Sequence, residues 1–163
     1  MGKEEVRFEA VVDVGPLAVC VVDNPVRDEA LDWLTEVLRG EIRCVVPFSS
    51  VMGAHIVATS YLGADPGEVA YRLGLLVGVG EVLWFSDLSL NRVRRAFSLV
   101  ERYGVDSWDG YLLTVMEDFD IHKIYTFDLE DFGKIGGVKA LLPISRKSFQ
   151  KFMKWVKNKG SEK

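Results

Sequence analysis

The chain has 163 residues, of which 48% are hydrophobic and 27% are charged. This length and composition fit one globular domain and exclude a disordered chain. No apolar run reaches the roughly 18–20 residues of a membrane-spanning helix, and the charged start leads into no signal-peptide core. Cys20 and Cys44 lie in apolar runs and are interpreted as buried thiols in a reducing compartment. We therefore expect a cytoplasmic protein with no membrane partner.

Charge is distributed unevenly along the chain. From Arg146 to Lys163 there are seven basic residues and one acidic residue, which leaves 13 basic and 23 acidic residues before them. A body this acidic does not attract nucleic acid through its net charge. Binding to RNA would need a basic patch, a metal ion, or both. The tail is one candidate patch, although exposed lysines commonly only solvate a surface.

The first part of the chain alternates strand-like and helical apolar patterns. In chain order, the apolar pattern predicts a buried strand over 8–12, a helix over 27–39, a strand over 42–46 and a helix over 48–62. It leaves the conformation of the apolar stretch over 17–22 undecided. The helix over 48–62 is apolar on nearly every side, which is typical of a buried helix.

The second part begins with a strong helix start at Asp65-Pro66-Gly67-Glu68, where an N-cap acid precedes a proline and a glutamate. In chain order, the pattern predicts a helix to about 77, a strand over 81–85, a helix to 103, a helix to about 119, strands over 123–127 and 138–142, and a tail helix. The tail places Phe149, Phe152, Met153 and Val156 on one helical stripe.

Alternating strands and helices predict an α/β fold, with a mainly parallel central sheet flanked by helices in three layers. We find no internal repeat or linker in the sequence. Residues 1–145 are expected to form one domain. Residues 146–163 are expected to form a basic amphipathic C-terminal helix that packs on this domain or extends from it.

Several aspartates fall where predicted parallel strands end. Asp13 closes the first strand, Asp128 closes the strand that ends at Phe127, and Asp109 lies in the first turn of its helix. Because strand ends and the starts of the following helices share one edge of such a sheet, these carboxylates are expected to meet there. Asp131 lies just beyond Asp128 and is a further candidate.

Clustered carboxylates repel one another unless a cation neutralises them. Hard oxygen ligands, with no cysteine or paired histidine nearby in sequence, suit Mg²⁺ or Mn²⁺ rather than zinc. Such an ion can activate water and stabilise charge on a phosphodiester. The acid pattern therefore predicts a metal-dependent phosphodiesterase site.

Each acid also has a structural interpretation. Asp109 can simply complement the dipole of its helix, and Asp131 can be a loop or cap residue. Asp13 is harder to explain in this way, because a carboxylate at the end of the apolar run 10–12 is costly without a partner.

The sequence resembles the PIN domain family. The resemblance rests on Ser-Trp-Asp-Gly-Tyr-Leu-Leu at 107–113, Ile-Tyr-Thr-Phe-Asp-Leu-Glu-Asp-Phe at 124–132, Gly-Gly-Val at 136–138 and Val-Val-Asp at 11–13. It implies a single-strand-specific ribonuclease that uses Mg²⁺ or Mn²⁺, is a homodimer, and is either an RNA-processing enzyme or a toxin inhibited by an antitoxin protein. It also implies that Asp13, Asp109 and Asp128 are catalytic metal ligands and that Asp131 is a possible fourth ligand.

One departure from the family pattern concerns the helix after the second strand, where the family usually places a glutamate. No acid occurs between Glu41 and Asp65, and the expected position falls near Gly53, Ala54 or His55. His55 is the candidate substitute, since a neutral imidazole can ligate Mn²⁺. The alternative is a core histidine on an apolar helix. Val14 also stands where the family often has a hydroxyl side chain.

Two functions follow from this pattern. The first is a metal-dependent ribonuclease acting on single-stranded RNA, guided by the tail or by Arg92, Arg94 and Arg95 unless these arginines only form a solvated face. The second is a PIN-like domain that has lost catalysis and serves as an RNA-binding, protein-binding or dimerisation module. An acid-lined phosphatase is a third class, but the early Asp-x-Asp pattern is missing because residue 15 is glycine.

Overall fold

The sheet at the centre of the molecule is parallel throughout. The computed structural model describes residues 6–161, and within that range five strands are arranged in the order β3-β2-β1-β4-β5. The strands are β1 (Ala10–Val12), β2 (Cys44–Pro47), β3 (Leu83–Phe85), β4 (Lys123–Tyr125) and β5 (Lys139–Leu141). All four neighbouring pairs run parallel. The predicted α/β class, with a parallel sheet between helices, is confirmed.

Helices connect each strand to the next and flank the sheet. They are α1 (Val14–Val21), α2 (Arg27–Leu38), α3 (Phe48–Ile56), α4 (Pro66–Leu76), α5 (Leu90–Tyr103), α6 (Ser107–Asp118), α7 (Leu129–Gly133) and α8 (Arg146–Gly160). A π-helical turn, Val57–Tyr61, continues α3. Among the described residues, no helix combines the length and the apolar character needed to cross a bilayer.

The two faces of the sheet build two separate cores. Side chains alternate along β1, so Ala10 and Val12 point to one face and Val11 points to the other. Helices α1 to α4 and α8 contribute buried residues to the first face, and α5 to α7 contribute to the second. Cys20 and Cys44 are buried free thiols in the first core.

For two stretches, the structure decides or corrects what the sequence pattern predicted. The apolar stretch over 17–22 belongs to helix α1, which begins directly after Asp13 and is buried over most of its length. The helix over 48–62 forms but is not buried on every side, because Met52, Ile56 and Tyr61 are 69%, 56% and 72% exposed. These three side chains line a surface cleft, which the apolar pattern alone does not reveal.

Helix α8 packs on the first core through its aromatic stripe. The rings of Phe149 and Phe152 lie 5.3 and 5.4 Å from the ring of Phe127, and Phe152 is buried. The expected domain limits also include residues 1–5 and 162–163, which lie outside the described residues.

Candidate active site

The parallel sheet brings two of the predicted acids together. Strands β1 and β4 are neighbours, and the backbone N–H of Asp13 donates to the carbonyl of Tyr125 at 2.9 Å. Asp128 follows three residues after Tyr125 and is the N-cap of α7. Since both strands end at the same edge, Asp13 and Asp128 open onto one surface of the molecule.

One buried hydroxyl links these two acids. The Thr126 hydroxyl donates to Asp13 Oδ2 at 2.7 Å and accepts from the backbone N–H of Asp128 at 2.9 Å. Asp13 Oδ1 accepts from the N–H of Val14 at 2.7 Å. Both oxygens of Asp13 are therefore held in place, and its carboxylate has a defined orientation.

Burial raises the pKa of the Asp13 carboxyl above its usual range, and the nearby charges of Asp106 and Asp128 raise it further. The hydrogen bonds from Thr126 and Val14 oppose this change but do not reverse it. The anion of Asp13 is thus disfavoured when no cation is near it.

Asp109 is a second acid of the group with a raised pKa. It lies in the first turn of α6 and is 8% exposed. Its backbone N–H donates to Asp106 Oδ1, the N-cap of α6, at 2.9 Å. Burial, followed by the charges of Asp106, Asp13 and Asp128, raises the pKa of Asp109 to about 8. A carboxyl in this environment is protonated near neutral pH unless a cation compensates.

Three of the acids converge closely enough to share one ion. Carboxylate oxygens of Asp109, Asp128 and Asp131 lie within 4.8 Å of one another. The donors are all hard oxygens, the set that Mg²⁺ and Mn²⁺ prefer. A divalent cation here would offset the repulsion that raises the pKa of Asp109, so the residues present fit such an ion.

Asp131 has a competing partner. Lys134 Nζ donates to Asp131 Oδ1 at 2.5 Å, and this contact holds the pKa of the Asp131 carboxyl below its usual range. The backbone N–H of Asp131 donates to Oδ1 of Asp128, the N-cap of α7, at 3.0 Å. Asp131 therefore lies in the first turn of α7 rather than at its cap, and its carboxylate joins the acid cluster.

The acid cluster lies in a cleft with a volume of about 670 Å³. Asp13, Asp106, Asp109 and Asp128 line its acidic part. Apolar side chains form the rest of the lining, among them Met52, Ile56 and Tyr61 from α3 and its π-helical turn, and Phe85, Leu88 and Trp108. None of the described residues that line this cleft is lysine, arginine or histidine.

Of Gly53, Ala54 and His55, near which the missing glutamate was expected, Gly53 is the one among the described residues lining the cleft. Gly53 lines the cleft, whereas the described lining does not include His55. His55 follows two residues later, which is about 200° further around the helix, and its Nε2 lies 3.2 Å from the carbonyl of Pro66. The predicted role of His55 as a metal ligand gains no support from this arrangement. A Cβ atom at Gly53 would lie only 2.6 Å from Val14 Cγ2.

Two features of the cleft escaped the sequence reasoning. Asp106 was not among the predicted site residues, yet it lines the cleft and its charge raises the pKa of Asp109. Its place one turn before Asp109 was the available signal. Thr126 belongs to the quoted resemblance, but no role followed from its type alone, because its two hydrogen bonds depend on the pairing of β1 with β4.

Two of the arginines of α5, Arg92 and Arg95, form ion pairs, whereas Arg94 is exposed. Buried Arg92 contacts Asp87 at 2.8 Å and Asp118 at 2.6 Å. Arg95 contacts Glu117 at 2.8 Å and Asp118 at 2.9 Å. Arg92 and Arg95 thus fasten α5 to α6, and neither the expected RNA-guiding role nor a simple solvated face describes them.

A parallel sheet with helices on both faces and an acid cluster at its carboxyl edge defines the class of fold. No family model matches the chain, and no curated protein matches it in sequence. Solved structures do share the fold. A toxin–antitoxin complex from Klebsiella pneumoniae superposes with a TM-score of 0.57 at 18% identity, covering 84% of this chain and 99% of that chain.

A second solved structure is VapC20 from Mycobacterium tuberculosis, a toxin that cleaves the sarcin–ricin loop. It superposes with a TM-score of 0.61 at 12% identity, covering 76% of this chain and 92% of that chain. Similarity at this level of identity establishes the fold alone. The chain has the PIN-domain fold, as the resemblance in sequence predicted.

Proposed function

We propose that the chain is a divalent-metal-dependent ribonuclease that hydrolyses phosphodiester bonds in single-stranded RNA, either as a toxin or in RNA processing. The observation that carries this proposal is the convergence of Asp109, Asp128 and Asp131 within 4.8 Å, beside a cleft that Asp13 also lines. The shared fold with VapC20, a toxin that cleaves the sarcin–ricin loop, supports it.

We assign the ion, Mg²⁺ or Mn²⁺, to Asp13, Asp109 and Asp128, with Asp131 as a fourth ligand. An ion bound there supplies Lewis-acid stabilisation of charge on the phosphodiester and makes bound water more acidic. Asp109 must lose its proton to take part, and its pKa of about 8 in the absence of an ion makes that step depend on pH.

The remaining residues prepare the site. Thr126 and the N–H of Val14 hold both oxygens of Asp13, so little side-chain freedom is lost when a ligand binds. Asp106 fixes the start of α6 and thereby the position of Asp109. Lys134 holds the carboxylate of Asp131 through an ion pair.

A second candidate function is supported by Val14 and Gly53. The side chain of Val14 fills the space beside Gly53, where the resemblance expects a glutamate. A site with one acid fewer holds a divalent ion more weakly. The alternative is therefore a PIN-like module that binds RNA or a protein without cleaving it.

We propose two protein partners. An antitoxin is proposed because the Klebsiella pneumoniae structure is a toxin–antitoxin complex. A second copy of the chain is proposed because Leu90, Phe97 and Trp108 are exposed by 68%, 58% and 54%, an amount of apolar surface that favours protein contacts. A cytoplasmic location and the packing of the tail helix on a domain of residues 1–145 complete the proposal.

The experiment incubates the purified protein with a labelled single-stranded RNA pool in Mn²⁺, in Mg²⁺ and in EDTA. Asp109→Asn and Asp128→Asn are compared with Asp120→Asn, which removes an exposed acid from the loop between α6 and β4. We expect Mn²⁺-dependent cleavage that falls by at least about 100-fold in the first two variants and is unchanged in the third. RNA binding without cleavage by the folded protein would favour the second candidate function instead.

A further inference from the structure

The cleft offers no cation of its own to an RNA strand. Four aspartates line it, and the described part of the lining contains no basic side chain. The chain before Arg146 is also acidic, with 13 basic and 23 acidic residues. Because RNA is a polyanion, cations elsewhere on the same side of the molecule must hold it near such a site. The distribution of cations over the surface of the fold therefore decides where an RNA strand can bind.

Four exposed cations lie at the opposite edge of the sheet. Lys123 and Lys139 are the first residues of β4 and β5 and pair in register. Arg43 directly precedes β2, and Arg7 comes shortly before β1. Since all strands are parallel, these four residues lie at the amino edge, whereas the acid cluster lies at the carboxyl edge. These four residues are therefore too far from the cleft to contact an RNA strand bound there.

Helix α5 supplies fewer free cations than α8, since two of its four arginines are already paired with carboxylates. Arg92 and Arg95 are paired with three carboxylates, those of Asp87, Asp118 and Glu117. Arg92 is also buried. A side chain that already neutralises a protein carboxylate contributes little to phosphate binding.

Helix α8 begins at the same edge as the acid cluster. Strand β5 ends at this edge, and α8 starts five residues later. Phe149 and Phe152 of α8 pack against Phe127, the residue immediately before Asp128. The first half of α8 is thus anchored beside the acidic part of the cleft.

The far end of α8 is held against the first core. Lys159 Nζ donates to the carbonyl of Leu62 at 3.1 Å, and Leu62 directly follows Tyr61, which lines the cleft. Leu62 is itself buried in the first core, so this contact fixes the far end of α8 on the domain.

The outer side of α8 carries a row of lysines, which we call the lysine face. It consists of Lys147, Lys151, Lys154 and Lys157, all of which are exposed. In the range 6–161, none of the four takes part in an ion pair. The spacing i, i+4, i+7, i+10 places them along one side of the helix over about 15 Å.

We propose that the lysine face of α8 binds the phosphate backbone of the RNA strand whose scissile bond lies at the acid cluster, an inference that rests on the proposed nuclease function. Lysine is a flexible point charge that contacts phosphates without reading bases. These contacts therefore position the strand and determine its affinity, while any preference for sequence comes from other parts of the surface.

The experiment measures RNA binding rather than cleavage. All proteins carry Asp109→Asn in Mg²⁺, so that a labelled single-stranded oligonucleotide stays intact, and the dissociation constant is measured over a series of KCl concentrations. One variant changes the four lysines of the lysine face to Gln, and a second changes them to Arg. The matched control removes the same number of charges at the amino edge by changing Arg7, Arg43, Lys123 and Lys139 to Gln.

We expect the Gln variant of the lysine face to bind at least about tenfold more weakly and to lose about 2 to 3 from the slope of log affinity against log salt, since each phosphate contact on a single strand contributes about 0.7. The Arg variant and the amino-edge control should keep the slope. An unchanged slope in the lysine-face variant, or an equal loss in the amino-edge control, overturns the proposal.

Phosphatidylglycerol vesicles are tested in parallel. Vesicle binding that depends on the lysine face, together with RNA binding that does not, would assign the face to a membrane surface and overturn the proposal. Because the assay does not require cleavage, the two possible failures are distinguishable. A wild-type protein that never cleaves RNA contradicts the nuclease function, whereas one that cleaves RNA but shows no slope difference contradicts only the role of α8.

Discussion

The hydroxyl of Thr126, directly after β4, donates a hydrogen bond of 2.7 Å to Asp13 Oδ2, directly after β1. This contact joins two residues that are 113 positions apart in sequence. It also connects the two strand ends that carry the acids of the cleft, because Thr126 accepts the backbone N–H of Asp128. The alignment of the site therefore depends on a residue that is not itself an acid.

Thr126→Val keeps the shape of this side chain and removes its hydroxyl. The buried Asp13 carboxylate then loses a donor, which raises the pKa of Asp13 further and destabilises the fold by about 1–3 kcal/mol. Urea denaturation and Mn²⁺-dependent cleavage measure the two effects. Thr126→Ser restores the hydroxyl and should recover most of both. An equal defect in the Ser variant would show that packing, not the hydrogen bond, matters at this position.

Stability should depend on pH through Asp109 when no metal is present. Because the folded-state pKa of about 8 lies above the ordinary value of 3.8, the folded protein binds more protons than the unfolded chain between these values. The free energy of unfolding in EDTA should therefore fall as pH rises from about 4 to 8, by a few kcal/mol at about 1.4 kcal/mol per pKa unit.

Urea denaturation in EDTA at a series of pH values measures this dependence. Asp109→Asn should reduce the slope and make the protein more stable at pH 8 than the wild type. Asp13 contributes in the same direction, since its pKa is also raised, so the slope does not vanish. Saturating Mn²⁺ should restore wild-type stability at pH 8. Stability that rises over this pH range in EDTA would contradict the electrostatic description of the cleft.

Gly53→Ala should destabilise the protein although alanine favours a helix. The new Cβ would meet Val14 Cγ2 at 2.6 Å, and overpacking of this kind costs about 1–3 kcal/mol. Gly74→Ala is the matched control, because nothing lies within 4 Å of a Cβ at this helical position. That variant should gain about 0.5–1 kcal/mol. Thermal unfolding of both variants provides the comparison.

The double variant Val14→Ala with Gly53→Ala tests the same contact from the other side. Removing the Val14 methyl groups should relieve most of the cost of the Gly53 substitution, so the two effects should be non-additive. Val14→Ala with Gly53→Glu goes further by adding an acid to the cleft. This variant should bind Mn²⁺ more tightly than the wild type, as measured by titration calorimetry. Additive losses in the first pair would show that Val14 does not limit this position.

Arg92→Met should destabilise the protein far more than Arg95→Met. Arg92 is buried, contacts two carboxylates and donates to the hydroxyl of Thr114 at 3.0 Å. Its replacement leaves those partners unsatisfied at a cost of about 2–3 kcal/mol, below the full value for a buried pair because both carboxylates remain partly exposed. The more exposed Arg95 should contribute less than about 1 kcal/mol. Similar melting temperatures for the two variants would contradict this ranking.

Much of the fold follows from local patterns in the sequence. The Asp65-Pro66 start, the Ser89 cap of α5 and the stop at Gly104 form as local chemistry requires, since Gly104 adopts a left-handed conformation with a φ of 65°. Caps and turns depend on a few neighbouring residues, so they can be predicted without knowledge of the fold. Helix α7 is an exception, because a helix of five residues leaves little periodic signal.

The meeting of the acids was predictable only in outline. Asp13 and Asp128 end strands, and a parallel sheet brings such ends to one edge whatever the details of packing. Their distances, the hydrogen bonds of Thr126 and the pKa of Asp109 required the actual pairing of β1 with β4 and the position of α6. These are long-range quantities, and the sequence contains no local signal for them.

The sequence by itself determined the alternation of strands and helices, the acids at the strand ends and the amphipathic tail, because these depend on residue type and spacing. The tertiary structure alone decided which positions of α3 line the cleft, and it placed Gly53 there but not His55. It also decided that Arg92 and Arg95 pair with α6, whereas within residues 6–161 the lysine face of α8 forms no ion pair. The physical reason is that charge pairing and helix rotation are set by contacts between distant elements, which one-dimensional periodicity does not specify.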